Sequence, residues 1–202
     1  MKRHRLFFGM AFTTATLLSA SLLIAQDKKQ APNVEEMMKK WEEVAAPGEN
    51  HKKLNDFVGS WETATSMWME GPQKPPMVSK GTATMRWTLD GRFLYQEASG
   101  EMMGKPFSGM GFTGYNNVNK RYEMFWIDNS STAMFTGDGT FDQSGKVLTL
   151  YGKMDDPTTG EHGKNIKYVL RVVDKDKHIF EFHDPVYEPN TKMGEIVYTR
   201  KK

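Results

Sequence analysis

Beyond the N-terminal segment the chain carries four histidines, at 51, 162, 178 and 183, and only the last two lie close together. In His178-Ile179-Phe180-Glu181-Phe182-His183, a strand sets His183 beside Glu181 on one face and His178 on the other. Glu181 and His183 have the makings of an acid/base dyad or of two metal ligands, and Glu97 is a further carboxylate that an enzyme could use with them. The plainer reading, a solvated outer face, is preferred. Asp138, Asp142, Asp155 and Asp156 read as turn residues; they could attract calcium, but the spacing of a calcium-binding loop is missing. Gly109-Met110-Gly111-Phe112-Thr113-Gly114 has the glycines of a nucleotide loop, yet it sits between strand patterns with no helix after it, where glycine allows a bend or bulge. There is no Gly-x-Ser-x-Gly elbow and no cysteine anywhere, which removes thiol catalysis, disulfides and cysteine-based zinc sites. No catalytic residue, metal site or cofactor is therefore expected.

The aromatics and methionines say more. Thirteen methionines lie beyond position 25, among them Met67, Met69, Met85, Met102, Met103, Met110, Met124 and Met134. Methionine fills irregular space and suits adaptable apolar pockets. Met85, Trp87, Phe93, Tyr95, Trp126, Phe180 and Phe182 are the candidates to line a ligand cavity, Trp87 ahead of Trp126 because its strand alternates more cleanly. A simply packed core competes with that reading. Copper(I) capture by thioethers fits less well, since the methionines are scattered.

The elements that must position these residues are mostly strands. Residues 26–32 read as a polar lead. Asn33 can cap a helix, with Glu36 completing a capping box, and Val34, Met37, Met38, Trp41 and Val44 recur at helical spacing before Pro47 and Gly48 stop it. That apolar face is expected to lie against the main body; a membrane-surface helix is a weaker alternative because Lys39, Lys40, Glu42 and Glu43 balance. A helical turn over 51–57 should send Leu54, Phe57 and Val58 inward. From Gly59 the period becomes two: Ser79, Gly81, Ala83, Met85, Trp87 and Leu89 share one face. Asp90-Gly91 signals a hairpin, and turns recur at 142–145, 156–160 and 174–177. About ten strands with no helix between them make an all-β, single antiparallel barrel whose closure removes the sheet edges.

The N-terminus reads as a secretory signal: Lys2, Arg3, His4 and Arg5 precede an apolar run from Leu6 to Ala25, and polarity breaks at Gln26. The run is as long as a membrane anchor, though Gly9, Thr13, Thr14, Thr16, Ser19 and Ser21 weaken it in that role. Three of the 27 Lys and Arg and none of the 25 Asp and Glu fall there, which leaves 24 positive against 25 negative charges after removal. Nothing then asks for nucleic acid or an acidic membrane. The expected organisation is a signal peptide over 1–25, a lead with a short helix over 26–50 and one barrel domain over 51–202. The expected location is periplasmic or secreted. Oligomeric state is not readable.

Leu54-Asn55-Asp56-Phe57-Val58-Gly59-Ser60-Trp61, with Gly91-Arg92-Phe93, Gly114-Tyr115-Asn116, Tyr122, Trp126-Ile127-Asp128-Asn129 and Gly139-Thr140-Phe141-Asp142, resembles the family called domain of unknown function 1579. That family is similar in turn to the calycins, the lipocalin and fatty-acid-binding barrels, which share Gly-x-Trp on the first strand. The resemblance implies a calycin-like barrel and no activity. It also implies that Trp61 plugs the barrel base with a basic residue of the last strand, here Arg200, packed over it. A haem reading, by analogy with the barrel called nitrobindin, needs an inward histidine near an open mouth, and His178 has the right face. Three functions stay open: a carrier of a small apolar ligand, an interaction barrel filled by side chains, and a small-molecule enzyme.

Overall fold

The computed structural model describes residues 33–71, 73–188 and 192–202; the signal reading falls outside them. Among the described residues no helix is long and apolar enough to cross a membrane.

Helix α1 covers Val34–Ala45, and Asn33 caps it by accepting from the Glu35 amide, 2.9 Å, rather than through the box expected with Glu36. A one-turn helix α2, Glu49–Lys52, runs into a 3-10 turn, Lys53–Phe57, whose Leu54 and Phe57 are fully buried. Ten strands follow: β1 Gly59–Met67, β2 Met77–Thr88, β3 Phe93–Met102, β4 Lys105–Asn116, β5 Arg121–Asp128, β6 Phe135–Phe141, β7 Val147–Met154, β8 Lys164–Asp174, β9 Lys177–His183 and β10 Lys192–Arg200. Each pairs antiparallel with its chain neighbour, and β1 closes on β10. The all-β closed barrel of ten strands read from period-two alternation is what forms. Local hairpins satisfy every ladder but one, and closure leaves no open edge.

Cross-strand register fixes which faces look inward. Trp61 opposes Ala83 and Arg200, Tyr198 opposes His178, His178 opposes Val172, Leu148 opposes Leu170, and Tyr122 opposes Gly139. These partners share the interior, and most are buried. One end is sealed by Leu54 and Phe57, which pack with Trp61, Met85, Leu94 and Leu148 in a single cluster. The other end carries the β1–β2, β3–β4, β5–β6, β7–β8 and β9–β10 connections and forms the mouth.

Helix α1 departs from expectation. Its apolar stripe does not lie on the barrel: it buries no residue, and Trp41 is 68% exposed. Only its C-terminal end is tied down, where Asn117 Nδ2 donates to the carbonyls of Val44 and Ala46, both 2.9 Å.

Candidate binding site

The base is built on Trp61. Its indole Nε1 donates to the Phe57 carbonyl, 2.9 Å, and the Arg200 guanidinium lies over the ring at 4.0 Å from the centroid. Arg200 also donates to the carbonyls of Val58 (2.7 Å) and Lys175 (2.8 Å), so it staples β10 to the entry of β1. Gly59 (φ +141°) has to lack a side chain, because the guanidinium occupies the place of a Cβ. The resemblance therefore pointed at the right pair. A cation over an indole contributes about 0.5 to 2 kcal/mol.

Beside Trp61 lies His178, 2% exposed. Its imidazole stacks on Tyr198 (4.2 Å between centroids) and meets Trp61 (4.3 Å) and Phe57 (5.1 Å) edge to face. Neither ring nitrogen has a hydrogen-bond partner. Burial, helped by the Arg200 charge, pushes its pKa down to about 3. His178 is thus inward, as read, but at the sealed end. Rings enclose it, so it does not fit the axial position of a haem.

The mouth half differs. Inward residues Thr65, Met124, Trp126, Ile166, Phe180, Phe182 and Ile196 are only half-buried. Trp87, Tyr115 and Phe141, inward and nearer the base, are partly buried in the same way. Glycines on the same face make room for rings: the indole of Trp126 lies against Gly109 and Gly111, and Tyr168 against Gly137 and Gly152, 3.2 to 3.4 Å from where a Cβ would stand. Three polar groups mark this wall. Gln96 Nε2 donates to the Tyr198 hydroxyl, 3.1 Å; the Tyr168 hydroxyl is buried without a partner; and Trp126 Nε1 donates to Asp128, 2.9 Å. Burial raises the Tyr168 and Tyr198 phenols to about 12, so both stay neutral hydroxyls. At the rim Lys164 Nζ bridges Asp184 (2.7 Å) and Asp156 (3.0 Å), all three side chains at most 16% exposed. The ammonium holds the Asp156 carboxyl down at about 2 and binds the β7–β8 loop to the segment after β9.

The seven candidate lining residues divide. Trp126 and Phe182 face the mouth half, and Phe180 stands on the wall stacked on Tyr168, 5.8 Å between centroids. Met85 and Trp87 face inward at the base, where Met85 is core and Trp87 Nε1 donates to Asn55, 2.8 Å, against the plug. The preference for Trp87 over Trp126 is thereby reversed. Phe93 and Tyr95 are outside the barrel altogether: the pairs Trp87–Leu94 and Thr88–Phe93 make Leu94 the inward residue. The turn causes the error, since its connection Leu89–Arg92 uses positive φ at Leu89, Asp90 and Gly91 and pairs odd positions of β2 with even positions of β3. Phe93 instead covers Gly114 of the facing strand, an aromatic ring shielding a bare glycine. The Tyr95 hydroxyl donates to Glu97, 2.8 Å, and its ring carries Arg86 at 4.6 Å.

Glu181 and His183 do share an outer face, 3.3 Å apart, but Arg171 (3.8 Å) and Lys192 (3.6 Å) crowd the same carboxylate. That is a surface charge network. Burial lowers the His183 pKa although Glu181 raises it. Glu97 lies on a different part of the wall, on β3. Asp138 is not a turn residue; it faces out from β6 and pairs with Arg121. Among the described residues no group of three or more His, Cys, Asp or Glu could hold a metal. Gln96, the Tyr168 hydroxyl and the Lys164 bridge went unnoticed in the sequence. Only Lys164 left a signal, because it keeps the parity of inward Ile166 and Tyr168.

Two concavities lie on the outer wall. One of about 620 Å³ is bordered by Thr84, Glu97, Met110 and Ile127; the other, of about 1150 Å³, runs from Phe93 and Phe112 past Phe125 and Tyr151 to Asn165, with Val44 and Ala45 at its edge.

Comparison with known proteins agrees with this architecture. The crystal structure of Rv2717c from M. tuberculosis is similar with a TM-score of 0.52 and 18% identity, over 78% of this chain and all of that one, which bears on the fold alone. A redesigned β-barrel matches with a TM-score of 0.39 and 12% identity over 76% of this chain and 96% of its own. No curated protein matches the chain. Residues 46–200 match the family described as "Protein of unknown function (DUF1579)", from the last residues before the plug to the final strand, and the chain belongs to that family.

Proposed function

We propose that this protein is an exported carrier that takes a small, largely apolar ligand through the mouth of its barrel. One observation carries the reading: Trp126, Phe182, Ile166 and Ile196 point inward yet remain partly exposed, whereas Trp61, Met85, Leu94, Leu148 and His178 toward the base are buried. An apolar wall with a few polar groups (Gln96, the Tyr168 hydroxyl, Asp128) is the usual make-up of a small-molecule pocket. The sealed base makes the site single-ended, so ligand enters and leaves by one route. Export rests on the basic stub and apolar run of residues 2–25.

The test is binding of an environment-sensitive apolar dye with tryptophan emission as the reporter. Saturation should be 1:1, Trp126→Phe should abolish most energy transfer to the dye, and Trp87→Phe should leave it. Thr65→Trp, which fills the mouth half, should end binding without unfolding the barrel. Dye binding that ignores Thr65→Trp sinks the interior site. Intact mass of the exported fraction checks the other half, with a mature start between Ser21 and Lys28 expected and full-length chain found only in membranes as the contrary result.

A second reading has its own observation. Trp126 and Tyr168 already occupy the space left by Gly109, Gly111, Gly137 and Gly152, which suits a barrel filled by its own side chains and used as an interaction module. No dye binding together with a mouth as rigid as the base would select it.

A further inference from the structure

We propose that the mouth of the barrel binds a soft monovalent cation, Cu(I), through the thioethers of Met67, Met77 and Met102. Methionines that are scattered along the sequence are gathered by the fold. Eight of the thirteen beyond position 25 stand at the close of β1 and just past it, at the start of β2, at the close of β3 and in the turn after it, before β6, at the close of β7 and at the start of β10. All of these places belong to the mouth. An apolar rim does not by itself call for sulfur, since leucine or isoleucine covers the same surface at a smaller loss of side-chain entropy.

Three of these methionines share the inner wall on adjacent strands. Met67 and Met77 are direct cross-strand partners and keep the parity of the inward pair Trp61–Ala83. Directly opposed side chains hold their Cβ atoms about 4.5 to 5.5 Å apart, so two unbranched thioethers there can meet on one ion. Met102 keeps the parity of inward Leu94 on β3, which pairs with β2 at Gly81–Gly100. It lies two residues past that pair and Met77 four residues before it, a diagonal separation of about 7 to 8 Å. The two bare glycines draw the strands together here: a Cβ on Gly100 would stand 2.9 Å from the Gly81 Cα. Met77 is 49% exposed and Met67 and Met102 are partly exposed, so an ion reaches all three from solvent. Without an ion the Met67 thioether rests over Gly194, its sulfur 2.5 Å from where a Cβ would stand, beside Phe182. Turning it toward Met77 takes only rotation about flexible side-chain bonds.

Donor chemistry selects the ion. Thioethers are soft and uncharged, which favours Cu(I) over zinc, calcium or magnesium. Among the described residues no three His, Cys, Asp or Glu stand together. Charged groups at the rim are engaged with one another, Lys164 with Asp156 and Asp184, and Lys192 with Glu181 and Glu195. A thioether has no proton to lose, so the site keeps its ion in acid, where imidazole ligands protonate and release theirs. The ion enters and leaves as Cu(I), with no change of oxidation state. This inference uses the geometry of the mouth and does not depend on an apolar ligand or on export.

The experiment titrates the protein with Ag(I), the air-stable soft probe, and follows isotope-labelled methionine methyl groups by NMR beside calorimetry. Expected is one equivalent bound, with the methyls of Met67, Met77 and Met102 moving first and the rest only in excess. Met67→Leu, Met77→Leu and Met102→Leu should each weaken binding by about 10-fold or more, no less than the loss of a mere outer partner of a metal ligand. Leucine keeps volume and apolarity, so the melting curves should stay close to that of the parent. Met38→Leu on α1 and Met110→Leu on the outer wall should leave affinity unchanged. Affinity should also hold from about pH 7 to about pH 5, the range in which imidazole titrates. Should a leucine variant misfold, the order in which the methyls of the parent protein shift still decides. The proposal is overturned by no binding, by exposed methionine methyls all shifting together, or by affinity that collapses in acid.

Discussion

The two ends of the barrel are made from similar residues put to different uses. At the base, Trp61 has its nitrogen bonded, its face covered by Arg200 and its edge against His178. At the mouth, Trp126 lies on two glycines, bonds an aspartate and stays half-exposed. The difference comes from what closes each end. A helical turn with Leu54 and Phe57 plugs the base, whereas loops tied by one buried ammonium rim the mouth. Trp61 is therefore packed core, while Trp126 is a partly exposed residue of the inner wall.

The contrast breaks most visibly by truncation. Trp61→Ala should cost about 3 to 5 kcal/mol, the range for removing a buried aromatic, and Trp126→Ala about half as much while weakening dye binding. Paired urea melts check this, and equal losses would mean that the mouth is as packed as the base.

Acid should act next, and at the base first. The folded His178 pKa is about 3 against 6.5 when unfolded. The unfolded chain thus binds a proton that the folded chain refuses, and stability falls as pH drops below 6.5, by up to about 1.4 kcal/mol per unit until about 3. His51, whose pKa burial also lowers, adds in the same direction. His178→Phe should flatten the slope at little cost at pH 7, since both imidazole nitrogens are unpartnered and an apolar ring of similar shape strands nothing. An unchanged slope would mean that the imidazole is not enclosed in solution.

The smallest effect belongs to the rim. Lys164→Met removes the bridge between Asp156 and Asp184, and amide exchange should quicken over residues 155–163 and 184–188 while the strands at the base keep their protection. Exchange that quickens at both ends alike would show that rim and plug are coupled.

Much of this was written in the chain. Period-two alternation from Gly59 onward, punctuated by Asp90-Gly91, Asp142–Gly145 and Asp156–Gly160, fixed the number of strands and the antiparallel order, because hairpin pairing is local and each turn carries its own chemistry. The inward parity of Met85, Trp87, Trp126, Phe180 and Phe182 was legible for the same reason. Parity failed at Phe93 and Tyr95, where β3 is apolar on both faces and one turn residue decides the register. Height in the barrel was not legible at all. Whether Trp87 meets the plug or the mouth depends on closure between β1 and β10, strands more than a hundred residues apart. The same long-range closure enclosed His178 and brought Arg200 over Trp61. Local spacing encodes which face a residue shows. Only the closed barrel decides what that face meets.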